Sequence, residues 1–395
     1  MAARSSARAW WLRGTALAGA LALSVGFGEL ALRLAGVSYP VLVEPDPVAG
    51  GRLRPFVAGW FEQEGRAWIE ANDIGYRDRV HARQKPANAL RVAFLGDSYT
   101  EAMQVPLEQA YWRLVESRLT GCAAAGGRVP EAMSFGLSGI GTAQQLEIYR
   151  KVAAGYDPDV VVLAFVPNDI ENNHPAFGGA GTKPFYALDA RGALVLDDSF
   201  VRSPEYARRN GLVARGLRRL SDASRIVQLL LEARRVLARR ELAAGEAGAR
   251  HGFTAAPAEP ERIEAWQWTE ALLVELARRV ELDGARFLLV AVSGPHQVHP
   301  SLEHRQRWLA EVGGGDLLYW NRRLAALAGA HGIAFLSLSE PFQEYALERG
   351  TCLHGFENML PCDGHWNAAG HALAAELVSA AICAELSHGS AEDAS

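Results

Sequence analysis

Four short segments carry side chains whose types and spacing could do chemistry together. The first is Gly96-Asp97-Ser98-Tyr99-Thr100, directly after the apolar run Arg91-Val-Ala-Phe-Leu95. A serine on a tight turn between a strand and a helix exposes its hydroxyl close to helix amides, which suits a nucleophile. The carboxyl end of a strand is also where open α/β sheets bind ligands. On its own the tripeptide is common. The second segment, Ser134-Phe-Gly-Leu-Ser-Gly139-Ile-Gly-Thr142, is glycine-rich. Backbone N–H groups there can face a ligand unobstructed, and Gly139 is the candidate donor to a developing oxyanion. A turn before a helix explains the same residues. Ile140 stands where a G-x-S-x-G nucleophile elbow needs its last glycine, so that motif is excluded. The third segment, Pro167-Asn168-Asp169, offers the Asn168 amide as a second oxyanion donor, or simply an Asn-Asp turn. The fourth is Asp363-Gly-His365-Trp-Asn367-Ala-Ala-Gly-His371. His365 is the candidate general base, and Asp363, two residues earlier, could orient it through Nδ1. Metal binding is the rival for an Asp-x-His cluster, but no further ligand-spaced cluster accompanies it.

These residues need a scaffold. Asp157-Pro-Asp-Val-Val-Val-Leu-Ala-Phe165 and Arg286-Phe-Leu-Leu-Val-Ala-Val292 are short apolar runs without alternation, as is the run ending at Gly96. That pattern suits parallel strands covered on both faces. Ile333–Leu338 predicts a fourth strand. Helical spacing covers 107–120, 260–283 and 316–330, starts at Thr142 as an N-cap, and returns from Asn367 to Leu386. Strands alternating with helices predict an α/β fold, a parallel sheet between two helical layers. No internal repeat is present.

In these blocks the chain resembles the SGNH/GDSL hydrolase superfamily. The four blocks come in that family's order, with Ser98, Gly139, Asn168 and His365 at the motif positions. The resemblance spans about residues 72–386 and includes a lead-in, Asn72 to Asp78, similar to the N-x-x-G-[FY]-R-D segment of many membrane-anchored members. It implies a flavodoxin-like three-layer α/β/α sandwich, no cofactor and acyl-ester chemistry. Ser98 would attack the ester, His365 take its proton, Asp363 orient the imidazole, and the amides of Ser98, Gly139 and Asn168 hold the oxyanion. Two departures stand out. The last block is Asp-x-His rather than Asp-x-x-His, a spacing that resembles alginate-type O-acetyltransferases. Pro167 also replaces the glycine of the usual Gly-Asn-Asp.

Composition sets the remaining bounds. The net charge is −5 and the mean composition is globular, with 49% hydrophobic and 22% charged residues; general nucleic-acid binding is disfavoured. Arg4, Arg8 and Arg13 precede an apolar stretch that runs from Gly14 to about Leu34, interrupted only by Glu29 and Arg33. Residues 1–37 are therefore expected to be an uncleaved signal-anchor crossing the inner membrane once, with the amino terminus inside and the catalytic domain periplasmic. A cleaved signal and a buried helix are the alternatives. Residues 38–90 are expected to be a tether and irregular lead-in, 91–386 the hydrolase domain, and 387–395 a disordered tail. A helical, arginine-rich insertion is expected at about 170–260. From Val201 to Arg250 it holds twelve arginines against five acids, either a basic surface for anionic lipid or polymer, or an ordinary solvated face. Export would permit disulfides, and Cys352–Cys362 is the expected pair. The expected function is an acyl or acetyl esterase acting on an acylated glycan outside the membrane, with Trp60, Trp68 and Trp366 available to stack on sugars. An O-acetyltransferase and an idle glycan-binding or assembly subunit are the alternatives.

Overall fold

In the computed structural model, residues 2–245 and 253–392 are described. They form two units, one of residues 42–211 and 249–395, the other of residues 1–41 and 212–248.

The larger unit is built on five parallel strands, β1 (Ala89–Gly96), β2 (Val129–Ser134), β3 (Val160–Phe165), β4 (Arg286–Ala291) and β5 (Ala334–Ser337). Their spatial order is β5-β4-β3-β1-β2, the doubly wound order of flavodoxin-like sheets. The register pairs Val162 with both Phe94 and Leu288. Every residue of β3 is buried. Val161, Leu163 and Phe165 face one helical layer, while Val160, Val162 and Ala164 face the other. Because both faces are covered, the hydrophobic run does not alternate.

The first layer comprises α3 (Thr142–Lys151), α5 (Pro260–Leu282) and α6 (Tyr319–His331). The second comprises α2 (Tyr111–Leu119), α7 (Ser339–Arg349) and α8 (Ala368–Glu392). Two short helices, α1 (Ser98–Glu101) and α4 (Asn168–Asn172), follow β1 and β3 directly. The architecture is the expected three-layer α/β/α sandwich. A disulfide joins Cys122, just after α2, to Cys383 in α8, and a second closes the loop between Cys352 and Cys362.

Several boundaries differ from expectation. Thr142 is the first helical residue, not the cap; Gly141 takes the cap position, its N–H donating to Gln144 Oε1 at 2.7 Å. The segment 38–90 is no tether. Strands Ala58–Phe61 and Ala67–Glu70 pair antiparallel, and Leu53, Val57, Ala67 and Ile69 form a small core of their own. Within the lead-in, Asn72 Oδ1 accepts from the N–H groups of Ile74 and Tyr76. The buried Arg77 guanidinium donates to the carbonyls of Glu101, Ala102 and Val105, which fixes the chain beyond α1. The expected disordered tail is helical to Glu392, and 393–395 lie outside the described residues. The expected helical insertion at 170–260 is not helical throughout: after a short helix at Pro175–Gly178 it holds a hairpin, Phe185–Leu188 with Leu194–Asp197; its residues 246–252 lie outside the described set.

The smaller unit contains the N-terminal helix (Ala2–Leu34), a short insertion helix (Leu212–Ala223) and a long one (Arg225–Gly245). Among the described residues two helices are long and apolar enough to cross a membrane, Trp10–Leu34 and Ala368–Ser387. The second is the sandwich helix α8, whose Ala374, Ala375, Val378 and Ile382 are buried. Nothing of the first is buried.

Candidate active site

Ser98 opens α1 where β1 ends. Asp97 caps the helix, its Oδ1 accepting from the Tyr99 N–H at 3.0 Å. The turn is tight. A Cβ at Gly96 would lie 2.2 Å from Thr100 Oγ1, so this approach requires glycine. The hydroxyl of Ser98 is 2.8 Å from His365 Nε2, within reach for direct proton transfer.

The carboxylate behind the histidine belongs to Glu64. His365 Nδ1 donates to Glu64 Oε2 at 2.5 Å, and the His365 backbone N–H donates to Oε1 at 2.5 Å. Asp363, expected in this role, instead accepts from the Gly364 N–H and lies 4.0 Å from His296 Nε2. The cause is local geometry. Gly364 has φ +76°, which turns the Asp363 side chain away and opens the space that Glu64 enters. A Cβ at Gly364 would sit 2.1 Å from Glu64 Oε1. Glu64 lies in the turn between Ala58–Phe61 and Ala67–Glu70, and Asn358 grips that turn. Asn358 Oδ1 accepts from the Gly65 N–H at 2.9 Å, and its Nδ2 donates to the carbonyls of Glu62 and Gly65. Asn358 itself sits in the loop closed by Cys352–Cys362.

Electrostatics follow from this pairing. Burial pushes Glu64 up, but hydrogen bonds and charge from His365 outweigh it and hold the carboxyl below its ordinary value. Burial pushes His365 down, yet Glu64, with Asp97 and Glu101 farther off, raises it above the ordinary histidine value. Tyr99 packs against the imidazole, ring centres 4.8 Å apart, and its hydroxyl donates to the Gly364 carbonyl.

The other expected residues are placed as follows. Asn168 heads α4 and is exposed at the cleft; its Nδ2 donates to Asp97 Oδ2 at 3.1 Å. One amide proton is thus held, and the second is available to a ligand. Gly139 is exposed, with its carbonyl accepting from Lys183 Nζ at 2.9 Å. Its neighbour Ser138 is pinned to Glu101, at the end of α1, through both backbone N–H and hydroxyl. His354 and His371 are buried, and burial lowers them to about 4 and about 3. His354 donates to the Gly364 carbonyl at 2.8 Å; His371 accepts from the Tyr111 N–H and stacks on that ring. Both are structural. Trp366 is fully buried beside Tyr99, Tyr111 and Phe342, and so is closed to sugars. Trp60 and Trp68 form a cross-strand edge-to-face pair.

A cleft of about 390 Å³ opens over Ser98, Asn168 and His365, walled by Val166, Phe253, Pro295, Trp308 and Trp320. Among the described residues no three His, Cys, Asp or Glu side chains are grouped as metal ligands. Both ring nitrogens of His365 are committed, to Ser98 and to Glu64.

Glu64 was the residue that sequence reasoning missed. It lies 301 residues from its partner, in a segment with weak periodicity. The one local sign was Gly364 between Asp363 and His365, a position that a carboxylate from elsewhere could enter.

No family model matches the chain, and no curated protein does. Solved structures do. An acetyl xylan esterase is 17% identical, with 74% of this chain and 99% of that one covered and a TM-score of 0.38. An acetyl-xylooligosaccharide esterase from Geobacillus Stearmophilus is 12% identical over 74% and 93%, with a TM-score of 0.39. A putative acylhydrolase from Bacteroides fragilis is 14% identical over 77% and 91%, with a TM-score of 0.34. These likenesses concern the fold alone.

Proposed function

We propose that this protein is a serine-dependent ester hydrolase, held by its N-terminal helix at a membrane and acting on acylated glycan outside the cytoplasm. The observation that carries the reading is the continuous relay from Ser98 Oγ through His365 to Glu64, opening on an apolar cleft. Ser98 Oγ attacks the ester carbonyl carbon while His365 Nε2 takes its proton. The imidazolium that forms is stabilised by Glu64, which also fixes the ring. The carbonyl oxygen, now negative, is met by the free amide proton of Asn168 and by the N–H groups of Ser98 and Gly139. Collapse of the tetrahedral intermediate expels the alkoxide, which His365 protonates. Water, deprotonated by His365, then attacks the acyl-enzyme, and the carboxylic acid leaves as Ser98 regains its proton. No cofactor enters this sequence.

A cleft near 390 Å³ is at the small end for ligand sites. It suits a short acyl group with one ring of its leaving alcohol, the aromatic walls facing the C–H face of a sugar. A fluorophosphonate should label the protein at Ser98, and short p-nitrophenyl esters should be turned over faster than long ones. Labelling that persists in Ser98→Ala would refute the reading. For topology, a periplasm-active reporter after the last residue should be on and a cytoplasm-active one off; the reverse pattern would remove the external placement.

A further inference from the structure

We propose that the two insertion helices form a second membrane contact, lying in the headgroup layer of the bilayer with their apolar faces in its acyl boundary and their arginines on anionic phosphates. The proposal rests on the reading that the N-terminal helix spans the membrane.

The unit of residues 1–41 and 212–248 is built inside out. Among its described residues, those it buries are Ser38, Pro40, Ser221 and Gln228. They are joined by hydrogen bonds: Tyr39 N–H to Gln228 Oε1 at 2.7 Å, Gln228 Nε2 to the Ser221 carbonyl at 2.8 Å, and Arg225 to Ser38 Oγ at 2.8 Å. Pro40 is the one apolar residue among them. Many of the unit's large apolar groups point outward, while Ile226, Val227 and Leu231 are half-buried. Leu212 is 84% exposed, Val213 87%, Leu220 52% and Leu230 66%. A water-soluble helix pair buries its apolar stripe and exposes its polar one; the short helix of this pair leaves both exposed, as an interfacial helix would.

The short insertion helix is sharply divided. At 3.6 residues per turn, Leu212, Val213, Leu217 and Leu220 share an arc of about 140°, and Arg215, Arg218 and Arg219 share another of about 100°. Ser221, which is fully buried, lies about 40° beyond Leu217, between the two arcs. The face turned toward the rest of the unit is therefore centred outside the apolar arc. A basic polar face beside an exposed apolar face is the pattern of an interfacial helix. The long helix adds exposed apolar groups at Leu229, Leu230, Val236 and Leu237, though its arginines are not gathered on one face.

The attachment lies near the carboxyl end of the N-terminal helix. Glu29 accepts from the N–H groups of Arg225 and Ile226 and from Ser224 Oγ, and so caps the long insertion helix. Arg33 pairs with Glu29 and donates to the Ala223 carbonyl at 2.7 Å. The junction between the insertion helices is thus fixed beside Glu29 and Arg33, one turn before that helix ends at Leu34. There its apolar face is continuous with lipid and its arginines reach phosphate level.

The test uses the full chain in vesicles of phosphatidylcholine with and without phosphatidylglycerol. All described cysteines are in disulfides, so a spin label reports single introduced cysteines at Leu23, Val213 and Asp222. Ester turnover of each variant checks its fold. Leu23 should lie deep in the bilayer, Val213 at shallow depth with oxygen favoured over a nickel chelate, and Asp222 open to the chelate. Each arginine near an anionic surface contributes about fivefold to partitioning. Omitting phosphatidylglycerol, or replacing Arg215, Arg218 and Arg219 by Gln, should therefore shift Val213 toward water. A Leu23 label in water would defeat the anchor reading. With Leu23 embedded, a Val213 label open to the chelate, or shielded from both probes as in a protein contact, would overturn this inference. Insensitivity to anionic lipid and to the arginine changes would overturn its electrostatic part.

Discussion

Glu64→Gln and Asp363→Asn separate two assignments of the acid. In the structure Glu64 makes both hydrogen bonds to His365, one to Nδ1 and one to the backbone N–H, each 2.5 Å. An amide there cannot carry the charge that the imidazolium needs, and it can donate to Nδ1, which leaves Nε2 protonated and unable to accept from Ser98. Loss of a triad acid by such a change costs about 10⁴-fold in rate, or about 5–6 kcal/mol. Asp363 is 32% exposed, caps one backbone N–H and lies 4.0 Å from His296 Nε2. Its amide variant keeps the cap, and the rate should stay within about threefold, the size of a weak surface interaction.

The assay is kcat/KM for p-nitrophenyl acetate with the full-length protein, alongside the thermal midpoint to show that the fold is kept. Glu64→Asp is the companion variant. It retains charge on a side chain one methylene shorter, and should recover part of the rate that Glu64→Gln loses. A fall of about a thousandfold in Asp363→Asn, with Glu64→Gln within tenfold of the parent, would refute the assignment and restore the acid two residues before the histidine.

The remaining predictions are shorter. Turnover should rise with pH on an acidic limb set above the ordinary histidine value of about 6.5, because Glu64 favours the imidazolium and the base must be neutral; residual turnover in Glu64→Gln should show that limb moved to lower pH. Asn358→Ala removes three hydrogen bonds to the Glu64 turn, and at about 1 kcal/mol for a typical bond kcat should drop at least about fivefold with KM little changed; an unchanged kcat would make Asn358 a loop residue only. Replacing Cys122 and Cys383 by Ala opens a span of 261 residues, for which chain entropy gives about 5.6 kcal/mol, so the denaturation midpoint should fall far more than for the ten-residue Cys352–Cys362 span. His371, held neutral with a value lowered to about 3, binds its proton in the unfolded chain first; stability from it is complete above about pH 6.5 and falls toward pH 3, by up to about 5 kcal/mol. Denaturation midpoints across that range should lose part of their pH slope in His371→Asn.

Four of the five sheet strands and the nucleophile turn were legible because their signals are local; β2, whose Val129-Pro-Glu131 start breaks the apolar run, was not. The runs ending at Gly96, Phe165 and Val292 are continuous apolar segments, and continuity alone implies cover on both faces. Ser98, Asn168 and His365 stand at or after the carboxyl ends of sheet strands or at the head of the last helix, so reading the strands places them. The Cys352–Cys362 pair was legible from short spacing, whereas Cys122–Cys383 was not, since the contact between α2 and α8 that brings it together has no sequence trace. The segment 38–90 failed for another reason. Its strands are two to four residues long, too short for periodicity to register, and its order comes from side-chain capping at Asn72 and from Arg77 binding carbonyls beyond α1.

The origin of the acid has a consequence for how the site is assembled. When nucleophile, base and acid all follow the sheet's strands, the sandwich alone completes the relay. Here Ser98 and His365 come from the sandwich, but Glu64 arrives on a hairpin that precedes the first sheet strand. That hairpin is held by Asn358 in the loop ahead of His365 and by the small core around Leu53 and Ile69. Burial of Glu64 without its partner would raise its carboxyl and favour the neutral form; the two bonds to His365 reverse this. The charge that orients the base is therefore stable only when hairpin and histidine loop are docked, and docking is also what gives His365 its raised basicity. Gly364 permits that closeness, since any side chain there would collide with Glu64. The Asp-Gly-His spacing is better explained by this docking than by an acid within the block itself: the glycine makes room for a carboxylate that comes from the other end of the chain.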